Sequence, residues 1–226
     1  MKQMQQIFKN RQNIVLLTAI ISLYLAFLSV DLFSNSMHQL STNLKYASIV
    51  MCFLLAISLR WQSVNRQDSR YVVVALALTL VADWFLLFTN NNIAGIFWFC
   101  LVQLVYLKRC HKPLFQLGIV VATCAVMVDF LTAFRSLHVI AGLYALLIIA
   151  CLIATFKTTL PKFNLRCVQI GMLLFVLCDL HVALLNRLPA TNNYRAFAVV
   201  AIWLFYLPAQ CLLALSAFGA TVEKSL

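Results

Sequence analysis

The sequence has little charge, and acidic residues are especially scarce. Only 10% of its 226 residues are charged, and Asp and Glu together number 6. A soluble domain of this length needs a polar shell, which this composition cannot supply. Because 64% of the residues are hydrophobic and the mean hydropathy is +0.94, we predict an all-α protein that crosses a membrane several times.

Residues that interrupt helices are also few, with 5 Gly and 4 Pro. Pro113, Pro161 and Pro189 stand at the ends of apolar runs, whereas Pro208 lies inside the last run and is predicted to kink it. The 8 Cys show no Cys-x-x-Cys motif and no metal-ligand spacing with His. They are expected to pack as small buried hydrophobes, and no metal or other cofactor is predicted.

Eight apolar runs are long enough, or nearly long enough, to cross a bilayer as helices. They are residues 14–30, 43–59, 71–88, 93–108, 114–131, 137–156, 167–185 and 195–217. The connections between them are short, which predicts one integral membrane domain over residues 1–226, a bundle of eight transmembrane helices. The first run follows a basic segment without a small-x-small cleavage site, so we expect it to stay as a signal anchor.

The net charge of +11 is distributed unevenly along the chain. Of the 17 Lys and Arg, 13 fall in the N-terminal segment, the second, fourth and sixth loops, and the C-terminal tail. Because basic loops face the cytoplasm in membrane proteins, both termini are predicted to be cytoplasmic. Short loops and compact size favour a bacterial inner membrane. No basic and aromatic surface segment indicates a nucleic-acid partner.

Two aspartates inside apolar runs are the strongest functional signal. Asp83 and Asp179 each lie about six residues inside a predicted helix, or about 9 Å at helical rise. Intramembrane carboxylates are costly and usually mark a functional site. The structural alternative is a buried ion pair, for which Lys45 is the obvious cation. Asp31 and Asp129 fit boundary positions nearer to helix ends.

Residue spacings in the two halves of the chain are similar. Asp31 and Asp129 are separated by 98 residues, and Asp83 and Asp179 by 96. These spacings are compatible with an internal repeat of four plus four helices in parallel orientation.

Helical spacing places small, aromatic and hydrogen-bonding residues on common stripes. The stripes are Gly95, Phe99, Gln103 and Tyr106 in the fourth run, Gly171, Phe175, Asp179, Val182 and Asn186 in the seventh, and Trp203, Tyr206 and Gln210 in the eighth. Such stripes suit the wall of a polar cavity. They equally suit hydrogen bonds between helices, and this alternative stays open for Gln103, Tyr206 and Gln210.

Five segments, in order, carry a resemblance to a known family. They are "NLKYAS" (43–48), "LVADWFLLF" (80–88), "IAGIFWFCLVQLVYL" (93–107), "GMLLFVLCDLHVALLNR" (171–187) and "FYLPAQCLLALS" (205–216). With their order and spacing, they resemble the motifs of the YhhN-like lysoplasmalogenase family of multi-spanning membrane proteins. Four positions depart from the family pattern. Ala82 replaces Gly, Gln103 replaces His, Cys178 replaces Ser and Tyr46 replaces Pro.

The resemblance implies an enzyme that hydrolyses the vinyl-ether bond of a lysoplasmalogen to a fatty aldehyde and a glycerophospho-head-group product. Asp83 and Asp179 would form the acid/base pair, by the two-carboxylate logic of glycosidases. Substrate-binding residues would be Lys45, Gln103, Tyr106, Asn186, Tyr206 and Gln210. The partners would be the lysolipid and the bilayer lipids, with the oligomeric state open. A non-catalytic lysolipid-binding protein and a small-solute or proton-coupled transporter are the alternatives.

Overall fold

The structure is a computed structural model whose described secondary structure is entirely helical. It describes residues 2–33, 37–63, 65–131, 137–189 and 194–218, except the side chains of 2–5, 124–131 and 196. Within these ranges the helices are α1 (Lys2–Lys9), α2 (Arg11–Phe33), α3 (His38–Trp61), α4 (Arg66–Phe88), α5 (Asn92–Cys110), α6 (Lys112–Leu131), α7 (Leu137–Thr155), α8 (Lys162–Arg187) and α9 (Tyr194–Leu215). The Asp129 side chain and the C-terminal tail lie outside the description.

Seven helices within the described ranges are long and apolar enough to cross a membrane. These spans are Arg11–Phe33, His38–Trp61, Arg66–Phe88, Asn92–Cys110, Leu137–Thr155, Lys162–Arg187 and Phe197–Leu215. The predicted span 114–131 corresponds to α6, whose side chains are described only as far as Thr123. The apolar stretch Lys112–Thr123 is shorter than a span. The chain is thus an integral membrane protein, while the eighth span and the four-plus-four repeat stay predictions.

Most spans extend beyond the apolar runs that predicted them, and α1 was not predicted at all. Polar side chains cap the extended ends: Asn65 accepts a hydrogen bond from the Asp68 N–H, and Asn91 accepts one from the Ala94 N–H. Such caps satisfy backbone N–H groups of a first helical turn. Hydropathy detects the apolar middle of a span but misses these polar end turns.

The helices surround an interior in which α9 meets helices from the first half of the chain. Sequential helices pack against each other, and α9 also crosses back to contact α2, α3 and α4. Helix α7 packs on α5 and α8, so that α6 lies outside, against α5 and α7. This order brings residues from distant parts of the chain to the same interior.

Close approach of helices depends on two glycines. A Cβ at Gly95 would lie 2.5 Å from Leu86 Cγ and 3.3 Å from the Ala82 carbonyl oxygen. A Cβ at Gly171 would lie 3.0 Å from Leu213 Cγ. Because glycine has no side chain, Gly95 allows α5 to pack closely on α4, and Gly171 allows α8 to pack closely on α9.

Pro208 lies inside α9, as predicted. Proline has no N–H, so the carbonyl of Leu204, four residues earlier, loses its helical donor. The Tyr24 hydroxyl of α2 donates a hydrogen bond to this carbonyl at 3.2 Å. A side chain from a neighbouring helix thus satisfies the backbone group that the proline frees.

Arg109 joins α4, α5, α8 and α9 near the end of the bundle where α2 begins, which we call the basic end. Its side chain is buried and donates two hydrogen bonds to the Asp68 carboxylate, at 2.9 and 2.8 Å. It also donates to the Ser216 hydroxyl and carbonyl, and Asn164 donates to the same carbonyl. The predicted run 93–108 leaves Arg109 in the basic fourth loop. The structure corrects this interpretation, because Arg109 belongs to the last turn of a helix and is buried.

Candidate functional site

Asp83 of α4 lies inside the bundle and is only 4% exposed. The Tyr206 hydroxyl of α9 lies 2.9 Å from one carboxyl oxygen and 2.7 Å from the other. A phenol has one proton and donates one hydrogen bond at a time. The second close contact is satisfied when Asp83 is protonated and its own O–H donates to the phenol oxygen.

Asp179 of α8 has the same kind of partner with a different geometry. The Tyr144 hydroxyl of α7 donates to one of its carboxyl oxygens at 2.6 Å. Asp179 is half-buried, in contrast to the buried Asp83. Neither aspartate forms an ion pair with a described cation, since the described ion pairs are Lys45–Asp31 and Arg109–Asp68. The two carboxyls therefore differ in accessibility while each relies on a tyrosine.

Aromatic rings connect the two tyrosine–aspartate pairs. The Phe99 ring of α5 lies 5.9 Å from the Tyr144 ring and 6.4 Å from the Tyr206 ring, between centroids. Phe175 of α8 contacts both Phe99 and Tyr206, at 5.7 and 5.6 Å. The two carboxyls thus belong to one cluster with an apolar wall.

Lys45 of α3 forms an ion pair with Asp31 of α2, with Nζ 2.7 Å from the carboxyl oxygen. The Asp31 carboxyl also accepts a short hydrogen bond from the Ser41 hydroxyl. The ion pair that the sequence suggested for Lys45 exists, but its acid is Asp31 rather than Asp83 or Asp179. Asp31 is therefore more than a boundary residue.

Lys45 is also connected to the Asp83 pair through aromatic rings. Its Nζ lies 5.1 Å from the Trp203 ring centroid and 5.8 Å from the Phe27 centroid. Trp203 in turn contacts the Tyr206 ring edge-on at 5.3 Å. One indole ring thus separates the Lys45 ammonium from the tyrosine that binds Asp83, and cation–π attraction favours this position for the ammonium.

Gln103, Tyr106 and Gln210 are buried, with polar atoms that have no protein partner in the described part of the chain. These atoms are both amide atoms of Gln103, the Tyr106 hydroxyl and Gln210 Nε2. The Gln103 amide lies beside the Tyr144 hydroxyl but outside hydrogen-bonding geometry. Gln103 therefore approaches the neighbouring helix α7 at Tyr144, as the alternative of joining helices requires, without a completed hydrogen bond.

Asn186 is the one predicted site residue that the structure leaves apart from these clusters. It is exposed near the end of α8, and its amide donates to the Val182 carbonyl of its own helix. Tyr144 and Asp31 were not predicted as site residues. Tyr144 belongs to no polar stripe of its own helix, and only its hydrogen bond to Asp179 in the folded chain identifies it.

The described residues contain no group of three or more His, Cys, Asp or Glu side chains arranged to hold a metal ion. The chemistry available to the cluster comes from two carboxyls, two phenols, a lysine and side-chain amides. These groups can hold a proton, stabilise a cation and orient water.

Comparison with known proteins gives a match at the level of the family. The YhhN family model matches residues 40–217, which includes both aspartates, both tyrosines and Lys45. No curated protein and no solved structure matches the chain significantly. Since the family model covers most of the 226 residues, this integral membrane protein belongs to the YhhN family.

Proposed function

We propose that this protein hydrolyses the vinyl-ether bond of lysoplasmalogen-type lysolipids, releasing a fatty aldehyde and a glycerophospho-head-group product. YhhN membership and its association with lysoplasmalogenase-type activity support this proposal. The observation that carries it is the pair of membrane-embedded carboxyls, Asp83 and Asp179, each hydrogen-bonded by a tyrosine and joined by shared aromatic contacts.

The reaction requires two carboxyl groups in different protonation states. A vinyl ether hydrolyses when an acid protonates the carbon next to the ether-bearing carbon, which creates an oxocarbenium ion. Water then adds to this ion, and the resulting hemiacetal collapses to an aldehyde and an alcohol. One carboxylic acid supplies the proton, and one carboxylate stabilises the cation and accepts a proton from water.

The geometry supports a division of these roles. Asp83 contacts Tyr206 through both oxygens, which is the arrangement of a protonated acid that donates one hydrogen bond and accepts another. Asp179 uses one oxygen for Tyr144 and is more accessible. We assign Asp83 as the acid and Asp179 as the carboxylate that receives the proton of the attacking water.

Lys45 suits the phosphate of the head group. Its ammonium is held at the site by the Asp31 carboxylate and by two aromatic rings. A lysolipid phosphate would take over part of the contact that Asp31 makes with Lys45, so the positive charge of the ammonium would still be neutralised. The Trp203 ring contacts both the Lys45 ammonium and the Tyr206 ring, so a phosphate bound by Lys45 would lie near the Asp83–Tyr206 pair.

Orientation in the membrane follows from the charge distribution. The basic loops support a cytoplasmic location for the basic end, where Arg109 lies, and for both termini. Asp83, Asp179 and Lys45 then lie toward the opposite side of a bacterial inner membrane. A lysolipid whose head group is on that side would reach Lys45 without crossing the bilayer.

The decisive test uses the purified protein in detergent and a panel of lysolipids with and without a vinyl ether. Mass spectrometry should detect a fatty aldehyde and a glycerophospho product from the vinyl-ether lipids and no cleavage of the matched alkyl-ether lipids. Lysolipid binding without products would favour the non-catalytic binding protein. Substrate-dependent uptake into proteoliposomes without aldehyde would favour the transporter.

A further inference from the structure

We propose that Gln103, Tyr106 and Gln210 form a binding site for water between α5 and α9, and that this water enters the hydrolysis. The existence of the site rests on the structure alone. Its catalytic use rests on the proposed function, because only a hydrolase consumes the water.

The two helices place the glutamines at the same level. Phe99 of α5 contacts Tyr206 of α9, and further along Arg109 contacts Ser216. Both pairs have the same sequence offset of 107 residues. The helices therefore run in the same direction and keep one register between these contacts. Gln103 and Gln210 each follow the first contact by four residues, or about 6 Å at helical rise, on the same helix faces as Phe99 and Tyr206.

Burial of these groups without protein partners is costly. Gln103 is 0% exposed, and Tyr106 and Gln210 are each 1% exposed. Four of their polar atoms lack a hydrogen-bond partner among the described residues. A buried donor or acceptor without a partner costs about 1–3 kcal/mol. Four such atoms, within about one turn of each other along two helices of matched register, indicate that a small ligand satisfies them.

The mixture of donors and acceptors identifies water as that ligand. Gln103 offers an N–H and a carbonyl oxygen, Tyr106 a hydroxyl, and Gln210 an N–H. A bound anion would be opposed by the Gln103 oxygen, and a bound cation by the N–H groups. Water donates and accepts, and since a buried water makes about 2–4 hydrogen bonds, about one or two molecules satisfy the four atoms.

The site adjoins both carboxyls. Gln103 lies beside the Tyr144 hydroxyl that binds Asp179, and Gln210 lies one helical turn from Tyr206, which binds Asp83. Phe99 lies one helical turn from Gln103 on the side of the carboxyls, and the Arg109 cluster lies on the side of the basic end. Gln103, Tyr106 and Gln210 are at most 1% exposed, so the water that contacts them is a bound molecule rather than bulk solvent.

The hydrolytic step balances with these groups. The water oxygen forms a bond to the oxocarbenium carbon, and one of its protons passes to the Asp179 carboxylate. In the collapse, the bond between that carbon and the ether oxygen breaks, and the departing glycerol oxygen takes up the proton that the hemiacetal hydroxyl releases. Proton return from Asp179 to Asp83 then restores the starting state, so that one vinyl ether and one water give one aldehyde and one alcohol.

Radiolytic hydroxyl labelling of the full-length protein in detergent tests the site without substrate turnover. Brief X-ray exposure in water labelled with oxygen-18 modifies side chains that touch bound or bulk water. Tyr106 should be modified faster than Phe27, which is 0% exposed and serves as a buried aromatic control. Equal, background-level modification of both residues would overturn the proposal, whether or not the protein releases aldehyde.

A variant and a ligand separate bound water from its alternatives. In the double variant Gln103→Leu/Gln210→Leu, Tyr106 should lose most of its labelling, whereas unchanged labelling would show that these amides hold no water. If this variant does not fold, the native comparison of Tyr106 with Phe27 still decides. An uncleavable alkyl-ether lysolipid should leave Tyr106 labelling in place. Loss of labelling on adding it would mean that lipid hydroxyls occupy the site and would overturn the assignment to water.

Discussion

The hydroxyl of Tyr206 lies within 2.9 Å of both carboxyl oxygens of Asp83, although the two residues are 123 positions apart in the chain. The pair joins α9 to α4 in the membrane interior. We infer that the tyrosine holds the aspartate as a neutral, oriented acid. The Tyr206 hydroxyl is therefore part of the proposed catalytic machinery rather than of helix packing alone.

Removal of this hydroxyl should reduce turnover more than it reduces stability. The Tyr206→Phe variant keeps the ring contacts but leaves the buried Asp83 carboxyl without its partner, and we expect kcat to fall about 10- to 100-fold, the equivalent of leaving a buried polar group unsatisfied. Aldehyde release under saturating substrate measures kcat. Tyr71→Phe is the matched control, because Tyr71 lies near the basic end of α4 and contacts Lys108 through its ring. An equal loss in both variants would contradict the assigned role.

Loss of the Lys45 charge should weaken substrate binding. In Lys45→Met the apolar stem is kept and the ammonium is removed, so KM for the lysolipid should rise while kcat changes much less. Initial rates over a range of lysolipid concentrations give both constants. Lys108→Met is the control, since Lys108 also lies over two rings, those of Tyr71 and Phe115, but near the basic end. A normal KM in Lys45→Met would remove Lys45 from the substrate site.

The Arg109 cluster should contribute strongly to stability. Asp68→Asn leaves the buried guanidinium without its carboxylate, and breaking a buried pair in this way costs about 3–5 kcal/mol. Titration of the purified protein with SDS, followed by circular dichroism, measures the change in the free energy of unfolding. The exposed Arg70→Gln change in the same helix should have little effect. Similar unfolding midpoints for the two variants would show that the cluster is energetically unimportant.

The contact between α4 and α5 should not tolerate a side chain at Gly95. A Cβ there would lie 2.5 Å from Leu86 Cγ, so Gly95→Ala should destabilise the protein by about 1–3 kcal/mol through overpacking. Gly142→Ala provides the control, because a Cβ at that position meets no atom within 4 Å. The same SDS titration compares them. Equal stability of the two variants would mean that Leu86 moves aside without cost.

The sequence predicted the features that depend on local composition. Seven of the predicted spans are found because an apolar run of this length forms a membrane helix whatever its neighbours are. The interior location of Asp83 was also predictable, since a carboxylate in such a run avoids lipid. Helix ends were predicted less well, because caps such as Asn65 and Asn91 are polar.

The partners of the site residues were not predictable, because they come from helices distant in the chain. Tyr144 and Asp179 are 35 residues apart, and nothing in the α7 sequence distinguishes Tyr144 from a residue at a lipid interface. Lys45 could have paired with any aspartate on its side of the membrane, and only the packing of α2 on α3 selects Asp31. Counting charges could not separate the buried Arg109 from the exposed Lys108 and Lys112 next to it.

The central claim is that Asp83 and Asp179 carry the hydrolysis together, and aldehyde release from a vinyl-ether lysolipid tests it most directly. Asp83→Asn and Asp179→Asn each replace a carboxyl by an amide of similar size, which neither supplies nor accepts the required proton. Each variant should lose about 10²- to 10⁴-fold in kcat, the usual contribution of a general acid or base, while eluting as the native protein does on size-exclusion chromatography. Full activity in either well-folded variant would contradict the account.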